Sequence, residues 1–251
     1  MDSLSAVAHV LANHKTFSIK PDKFTLGGES SGATIALILN HLFRDAGMGD
    51  KVAGVIVGTP TISDVRKYAT PDMSPYPSMR EAGITPLLNW EKLKWFDTFK
   101  WMSLSSQPLG PDGRVLGKVS YKEKKLDVEW FADIMEAKRW DGLARTWVGT
   151  AEVDPLRDEG EAYAEKIRKE GNEVVVKRYE GVPHGFMHMD RVLSQGREFV
   201  DDVVGEIRRA LWPNGVEEEK KEDEDAKPAE EKTAEKEAEK EDEEMKDAPD
   251  E

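Results

Sequence analysis

Residues 23–47 read KFTLGGESSGATIALILNHLFRDAG, and the fold turns on how this stretch is parsed. Phe24 and Leu26 open a short apolar run that stops abruptly at two glycines, as a brief strand would. After Gly32, residues 33–44 are apolar on most sides, the pattern of a helix buried against a sheet. The next apolar run, KVAGVIVGTP at 51–60, does not alternate, which predicts a parallel strand covered on both faces. Strand, helix and strand within about 35 residues is βαβ spacing.

The pattern extends in both directions. Leu4, Val7, Ala8 and Leu11 share one stripe of a short amphipathic helix over residues 4–11. Residues 61–125 are less regular. Pro71, Pro75, Pro77 and Pro86 break the first half, and NWEKLKWFDTFKWMSL at 89–104 predicts a helix aligning Leu93, Phe96 and Phe99. Trp90, Trp95 and Trp101 are expected to pack a small satellite core, and a weak hairpin is expected around Asp112-Gly113. Regularity returns with LARTWVGTAEVDPL at 143–156, read as a strand over 144–148 and a loop. A helix over 156–170 follows, with Pro155 near its start and Gly171 at its stop. NEVVVKRYEGVPHGF at 172–186 reads as strand and loop, and residues 191–211 as a last helix ended by Pro213. The fold class is α/β: a mostly parallel sheet flanked by helices, with a cap-like insertion at about 61–125 in a domain spanning 1–216.

Charge separates this body from the remainder of the chain. Residues 217–251 hold 19 acidic residues against 7 lysines, a net charge of −12, which leaves −2 of the chain's −14 for residues 1–216. A segment so poor in apolar side chains cannot offset the entropy of ordering it, so a disordered acidic tail is expected. The near-neutral body argues against a nucleic-acid partner. With no cysteine, neither disulfides nor thiolate metal sites are available. No His, Asp and Glu spacing suggests another metal site, so no metal is expected. The first residues, MDSLSAVAHVLANHK, lack a basic segment before a long apolar one, and no apolar run approaches the roughly 18–20 residues that span a membrane. The expectation is a cytoplasmic protein with no membrane segment in this chain.

Three strand-end loops carry the chemistry. Gly28, Ser30 and Gly32 form a Gly-x-Ser-x-Gly elbow, which lifts a hydroxyl above helix N-terminal amides. The pattern alone arises by chance roughly one time in ten in a chain this long, so its strand–turn–helix context carries the argument. A serine needs a base, for which imidazole is suited near neutral pH, and the imidazole needs a carboxylate to hold its tautomer. Ser30, Asp154 and His184 occur in hydrolase order. Glu152 is a rival to Asp154, because the end of the strand is uncertain by a residue or two. Asp158 reads as a helix cap and His188 as surface or supporting, while His9, His14 and His41 lie in helical stretches without a partner pattern.

GGESSGA at 27–33, VGTAEVDPLRDEGEAYAEKIRKEG at 148–171 and YEGVPHGF at 179–186 resemble the alpha/beta hydrolase fold-3 group, the hormone-sensitive-lipase-like esterases. The resemblance covers roughly residues 2–211 and implies Ser30 as nucleophile, Asp154 as acid and His184 as base. It also implies a small-molecule ester substrate and no cofactor. The family elbow usually reads Gly-Asp-Ser-Ala-Gly, so Glu29 and Ser31 depart mildly from it. Family members also carry a His-Gly-Gly-Gly segment well before the serine, and none of the 29 residues before Ser30 resembles it. What the sequence covers is similar to a partial alpha/beta hydrolase fold, its last four parallel strands, with the strand ending at Gly27 at an exposed edge. Self-association through that edge is a possible consequence. The Ser31 N–H is one oxyanion donor, and each absent donor would cost about 3–4 kcal/mol of transition-state stabilisation. Two further classes stay open: a catalytically weak binding module, and an interaction protein docking through its acidic tail.

Overall fold

A computed structural model describes residues 2–105 and 129–214, without the side chains of 2, 98–105 and 129. The expected tail at 217–251 and the turn at Asp112-Gly113 lie outside the described residues, and the insertion at 61–125 is described only as far as residue 105. The chain divides into two units, Met1–Leu211 and Trp212–Glu251, and every helix and strand named below falls in the first.

Four strands form the sheet: β1 Phe24–Glu29, β2 Val52–Gly58, β3 Thr146–Val153 and β4 Val174–Pro183. All pairings are parallel and the strand order follows the chain, β1-β2-β3-β4, so β1 and β4 are the edges of the described sheet. Successive side chains of a strand point to opposite faces, and each face here has its own core. Val55, Val57 and Val148 face one side, packed with Ala33, Leu37 and Tyr163 from helices α2 (Ser31–Asp45) and α5 (Arg157–Lys169). Ile56, Trp147 and Tyr179 face the other, where Phe199 of helix α6 (Ser194–Leu211) is buried. Two buried faces explain why KVAGVIVGTP runs apolar without alternation.

Phe199 is the centre of the second core. Its ring lies 5.6 Å from each of Trp147, Tyr179 and Phe186. A Cβ at Gly149 would come within 2.9 Å of this ring, and one at Gly58 within 2.7 Å, so bare backbone makes its seat. The first helix, α1 (Asp2–Ala12), lays Leu4 and Val7 of the predicted stripe on the opposite core, whereas Ala8 is exposed.

The strands are matched unevenly. Pairing runs over all of β1 against β2, and from Thr146 to Val153 against β4, but β2 meets β3 only over residues 55–58 and 146–149. The connection between those two strands is also the longest, residues 59–145, and it carries α3 (Pro77–Glu81) and α4 (Trp90–Ser105).

Two expectations need correction. The strand read as 144–148 is Thr146–Val153, because Thr146 and Thr150 are fully buried within it and interrupt the apolar run without ending it. The hydroxyl of Thr150 donates to Glu161 at 2.9 Å, which satisfies it there. The satellite core is only partly as read. Trp90 and Leu93 are buried with Val65, Met79, Leu88 and Leu156, whereas Trp95 and Phe96 are 57% and 55% exposed. The inward face of α4 runs through Trp90, Leu93 and Asp97 rather than Leu93 and Phe96. The side chains of Phe99 and Trp101 lie outside the described residues.

Candidate active site

The register of the sheet brings the site together. Glu29 pairs with Gly58, and Ser30 is the next residue of its chain. Val153 pairs with Pro183, and the residues one step beyond them are Asp154 and His184. All three lie at the C-terminal ends of parallel strands, where open α/β sheets place their ligands.

The turn at Ser30 is strained. Its φ is 52° and ψ −119°, a conformation L-residues rarely hold, and its N–H still donates to Gly58 O at 2.9 Å. Gly28 permits this turn. A Cβ there would lie 2.5 Å from the carbonyl carbon of Gly32. At Gly32 the same addition meets nothing within 4 Å, so the two glycines of the motif are not equivalent.

His184 bridges the other two residues. Its Nε2 lies 3.1 Å from Ser30 Oγ, and its Nδ1 lies 2.8 Å from Asp154 Oδ2. A carboxylate can only accept, so Nδ1 carries the proton and Nε2 is free to accept from the serine hydroxyl. Asp154 is completely buried, and its second oxygen accepts the Leu156 N–H at 2.9 Å. Ser31 opens α2, and the first helical bond is Thr34 N–H to Ser30 O at 3.1 Å. The Ser31 N–H is therefore one of the amides a helix start leaves without an intrahelical acceptor.

The rival residues have other duties. Asp154 follows β3 directly, rather than after the loop implied by a strand ending at residue 148. Glu152 points to β4 and accepts the Gly181 N–H at 2.7 Å. There the register slips: Ala151 faces Tyr179 but Val153 faces Pro183, so β4 takes extra residues, with Gly181 at φ 70°. Glu152 holds the irregularity that carries His184 to Asp154. Asp158 does not cap α5. It pairs with Arg157 at 2.7 Å and accepts the Ser78 N–H at 2.8 Å, tying α3 to the acid loop. His188 is exposed and lies 2.9 Å from Glu29, beside the elbow.

His41, read as lacking a partner, has one. It is buried 3.2 Å from the Tyr163 hydroxyl, and burial together with Arg44 lowers its pKa to about 4. His9 contacts Asn13 and lies edge-on to the Phe17 ring, and His14 lies beside the Leu11 carbonyl. Sequence reasoning also passed over Glu159, which is fully buried five residues after Asp154. Burial pushes its carboxyl up to about 8. A signal was present, since the helix start RDEG offers more acid than one cap requires. Among the described residues no three His, Asp or Glu side chains could hold a metal ion, and no helix is long and apolar enough to cross a membrane.

Comparison with known proteins shows what the chain is similar to. The sequence model of the alpha/beta hydrolase fold family matches residues 1–188. Carboxylesterase NlhH of Mycobacterium tuberculosis is 26% identical over 216 residues, covering 84% of this chain and 58% of its own length. The thermophilic carboxylesterase EstE1 from a metagenomic library superimposes with a TM-score of 0.65 at 28% identity, covering 84% of this chain and 63% of its own. The hyperthermophilic esterase of the archaeon Pyrobaculum calidifontis gives 0.63 at 26%, covering 81% and 56%. The chain thus spans somewhat more than half the length of these relatives.

Proposed function

The chain belongs to the alpha/beta hydrolase fold family, and on that premise we propose that it is a serine-type hydrolase of carboxylic esters. The observation that carries the reading is the unbroken line from Ser30 through His184 to Asp154, at 3.1 and 2.8 Å.

Ser30 Oγ attacks the acyl carbon while His184 Nε2 takes its proton, and Asp154 balances the imidazolium that forms. The oxyanion of the tetrahedral intermediate is met by the Ser31 N–H at the start of α2. His184 then returns the proton to the departing alcohol, leaving an acyl ester on Ser30. Water attacks that ester by the same steps and restores the hydroxyl. No cofactor takes part. The substrate is an ester of a small or medium acyl group, with the segment from residue 61 through α4 contributing a wall of its site. The relatives' names support this class, being carboxylesterases and esterases themselves.

On partners and location, we infer a cytoplasmic protein that binds no nucleic acid, consistent with the near-neutral charge of residues 1–216. Self-association belongs to the same reading.

The test is hydrolysis of short-chain aryl esters by the full chain and by Ser30→Ala. Loss of nearly all turnover in the variant, with its unfolding transition retained, supports the assignment. Equal turnover in both would refute it.

A further inference from the structure

Glu159 has no part in the chemistry just described, yet it is as fully buried as Asp154. Its Oε1 accepts the Ile62 N–H at 2.7 Å. Its Oε2 accepts the Ser63 hydroxyl and, at 3.4 Å, the Ser63 N–H. These donors all belong to the loop that leaves the end of β2. That loop is fixed at its other side to the serine elbow, because Thr34 donates its hydroxyl to Thr61 O at 2.6 Å and its N–H to Ser30 O at 3.1 Å. The start of α5 presses directly on the same loop: a Cβ on Gly160 would come within 3.2 Å of the Pro60 ring. Asp154 lies on the near side of this anchor, with its backbone oxygen accepting the Arg157 N–H at 3.1 Å.

A continuous path therefore joins Ser30 to Asp154 without passing through His184. It runs from the Ser30 carbonyl to Thr34, to Thr61, along the loop to Ile62 and Ser63, and through Glu159 into α5. A buried carboxyl is expensive to keep where an apolar side chain could pack, and removing it strands several buried donors. Burial raises its pKa, with a last and smaller push from Asp154, against the Ser63 and Ile62 donors, which favour the charged form. Its own charge is felt at Tyr68 and Tyr76, where it helps, after burial, to raise the hydroxyl pKa.

We infer that Glu159 is a positioning residue, fixing the acid loop against the serine elbow so that His184 meets Ser30 and Asp154 at once. This rests on the hydrolase reading of the site, and its test separates the two.

The full chain is compared with Glu159→Ala, Glu159→Gln, Thr34→Val and Ser63→Ala. Three quantities are followed: the rate at which a fluorophosphonate labels Ser30, the proton resonance and titration of the His184 ring, and thermal unfolding. Glu159→Ala is expected to slow labelling about tenfold or more and to weaken the His184–Asp154 proton signal, since small misplacements of reacting groups are costly. Glu159→Gln, which keeps an acceptor, should stay within about threefold. Thr34→Val and Ser63→Ala cut the path at its two ends, so each should slow labelling and their combination should fall short of the product of the two. Unchanged labelling and an unchanged His184 ring in folded Glu159→Ala overturn the inference. If that variant does not fold, unchanged values in both Thr34→Val and Ser63→Ala overturn it equally. Absence of Ser30 labelling in the unaltered chain would count against the hydrolase reading alone, because the His184 resonances still report whether Glu159 positions the ring.

Discussion

Val153 and Pro183 are the last matched pair of β3 and β4, and one step beyond them on each chain stand Asp154 and His184. The pair brings an acid and a base from positions thirty residues apart into hydrogen-bond contact at 2.8 Å. It does so because β4 takes extra residues after Tyr179, an irregularity held by Glu152 on the Gly181 N–H.

Removing that hold should act on His184 more than on the fold. Glu152 is exposed, so Glu152→Ala is expected to lower stability by no more than about 1 kcal/mol, the usual worth of one hydrogen bond. Ester turnover should fall more than this loss of stability explains, with KM little changed, because the base is displaced rather than the substrate wall. Steady-state kinetics beside denaturant unfolding check it, and Glu152→Gln should recover most of the loss.

The two glycines flanking Ser30 should respond in opposite ways. Gly28→Ala forces a Cβ to 2.5 Å from the Gly32 backbone, which cannot yield without moving the elbow. A loss of roughly 2–3 kcal/mol and of most activity is expected. Gly32→Ala meets open space inside α2, where replacing glycine by alanine stabilises a helix by about 0.5–1 kcal/mol. Its unfolding midpoint should hold or rise, although it breaks the elbow motif.

Acidity should read out two buried groups with opposite signs. His41 has its pKa lowered in the fold, so the stability it lends is present above pH about 6.5 and is lost as pH falls towards 4. Glu159 has its pKa raised from 4.5 to about 8, so its contribution is whole below pH 4.5 and is lost as pH rises through 8. Denaturant unfolding from pH 4 to 9 should therefore give a difference curve between the unaltered chain and Glu159→Gln that declines with pH. The corresponding curve for His41→Gln should climb.

Phe199 has the clearest energetic role outside the site. Phe199→Ala empties the seat formed by Gly58, Gly149, Trp147 and Tyr179, and a loss of about 3–5 kcal/mol is expected. Thermal or chemical unfolding measures it directly.

Much of the fold and site was legible in the sequence. The unbroken apolar run of β2 implied a strand covered on both faces, and the order Ser30, Asp154, His184 with their strand-end loops implied the site. What escaped depended on pairing between distant segments. Val148 looked like the end of a strand because Glu161, which satisfies the buried Thr150 two residues on, lies on the following helix. Glu152 could be weighed against Asp154 only by chemistry, since both are acids near a strand end, and the register alone shows that one faces β4 and the other His184. Glu159 and His41 were passed over for the same reason: their partners are Ile62 and Ser63 in one case and Tyr163 in the other. Local periodicity does not report contacts across about a hundred residues.

The short match between β2 and β3 has a consequence for how the protein assembles. β1, α2 and β2 are joined by a brief connection, as are β3, α5 and β4, whereas residues 59–145 separate the two groups. Closing the longer connection costs about 1 kcal/mol more in chain entropy, and the seam it closes offers the fewest matched residues. Each half can thus form early and locally, and their docking comes last. Ser30 belongs to the first half, and Asp154 and His184 to the second. The nucleophile meets its base only when that seam zips, so a chain opened there would keep most of its secondary structure while its serine stood unactivated.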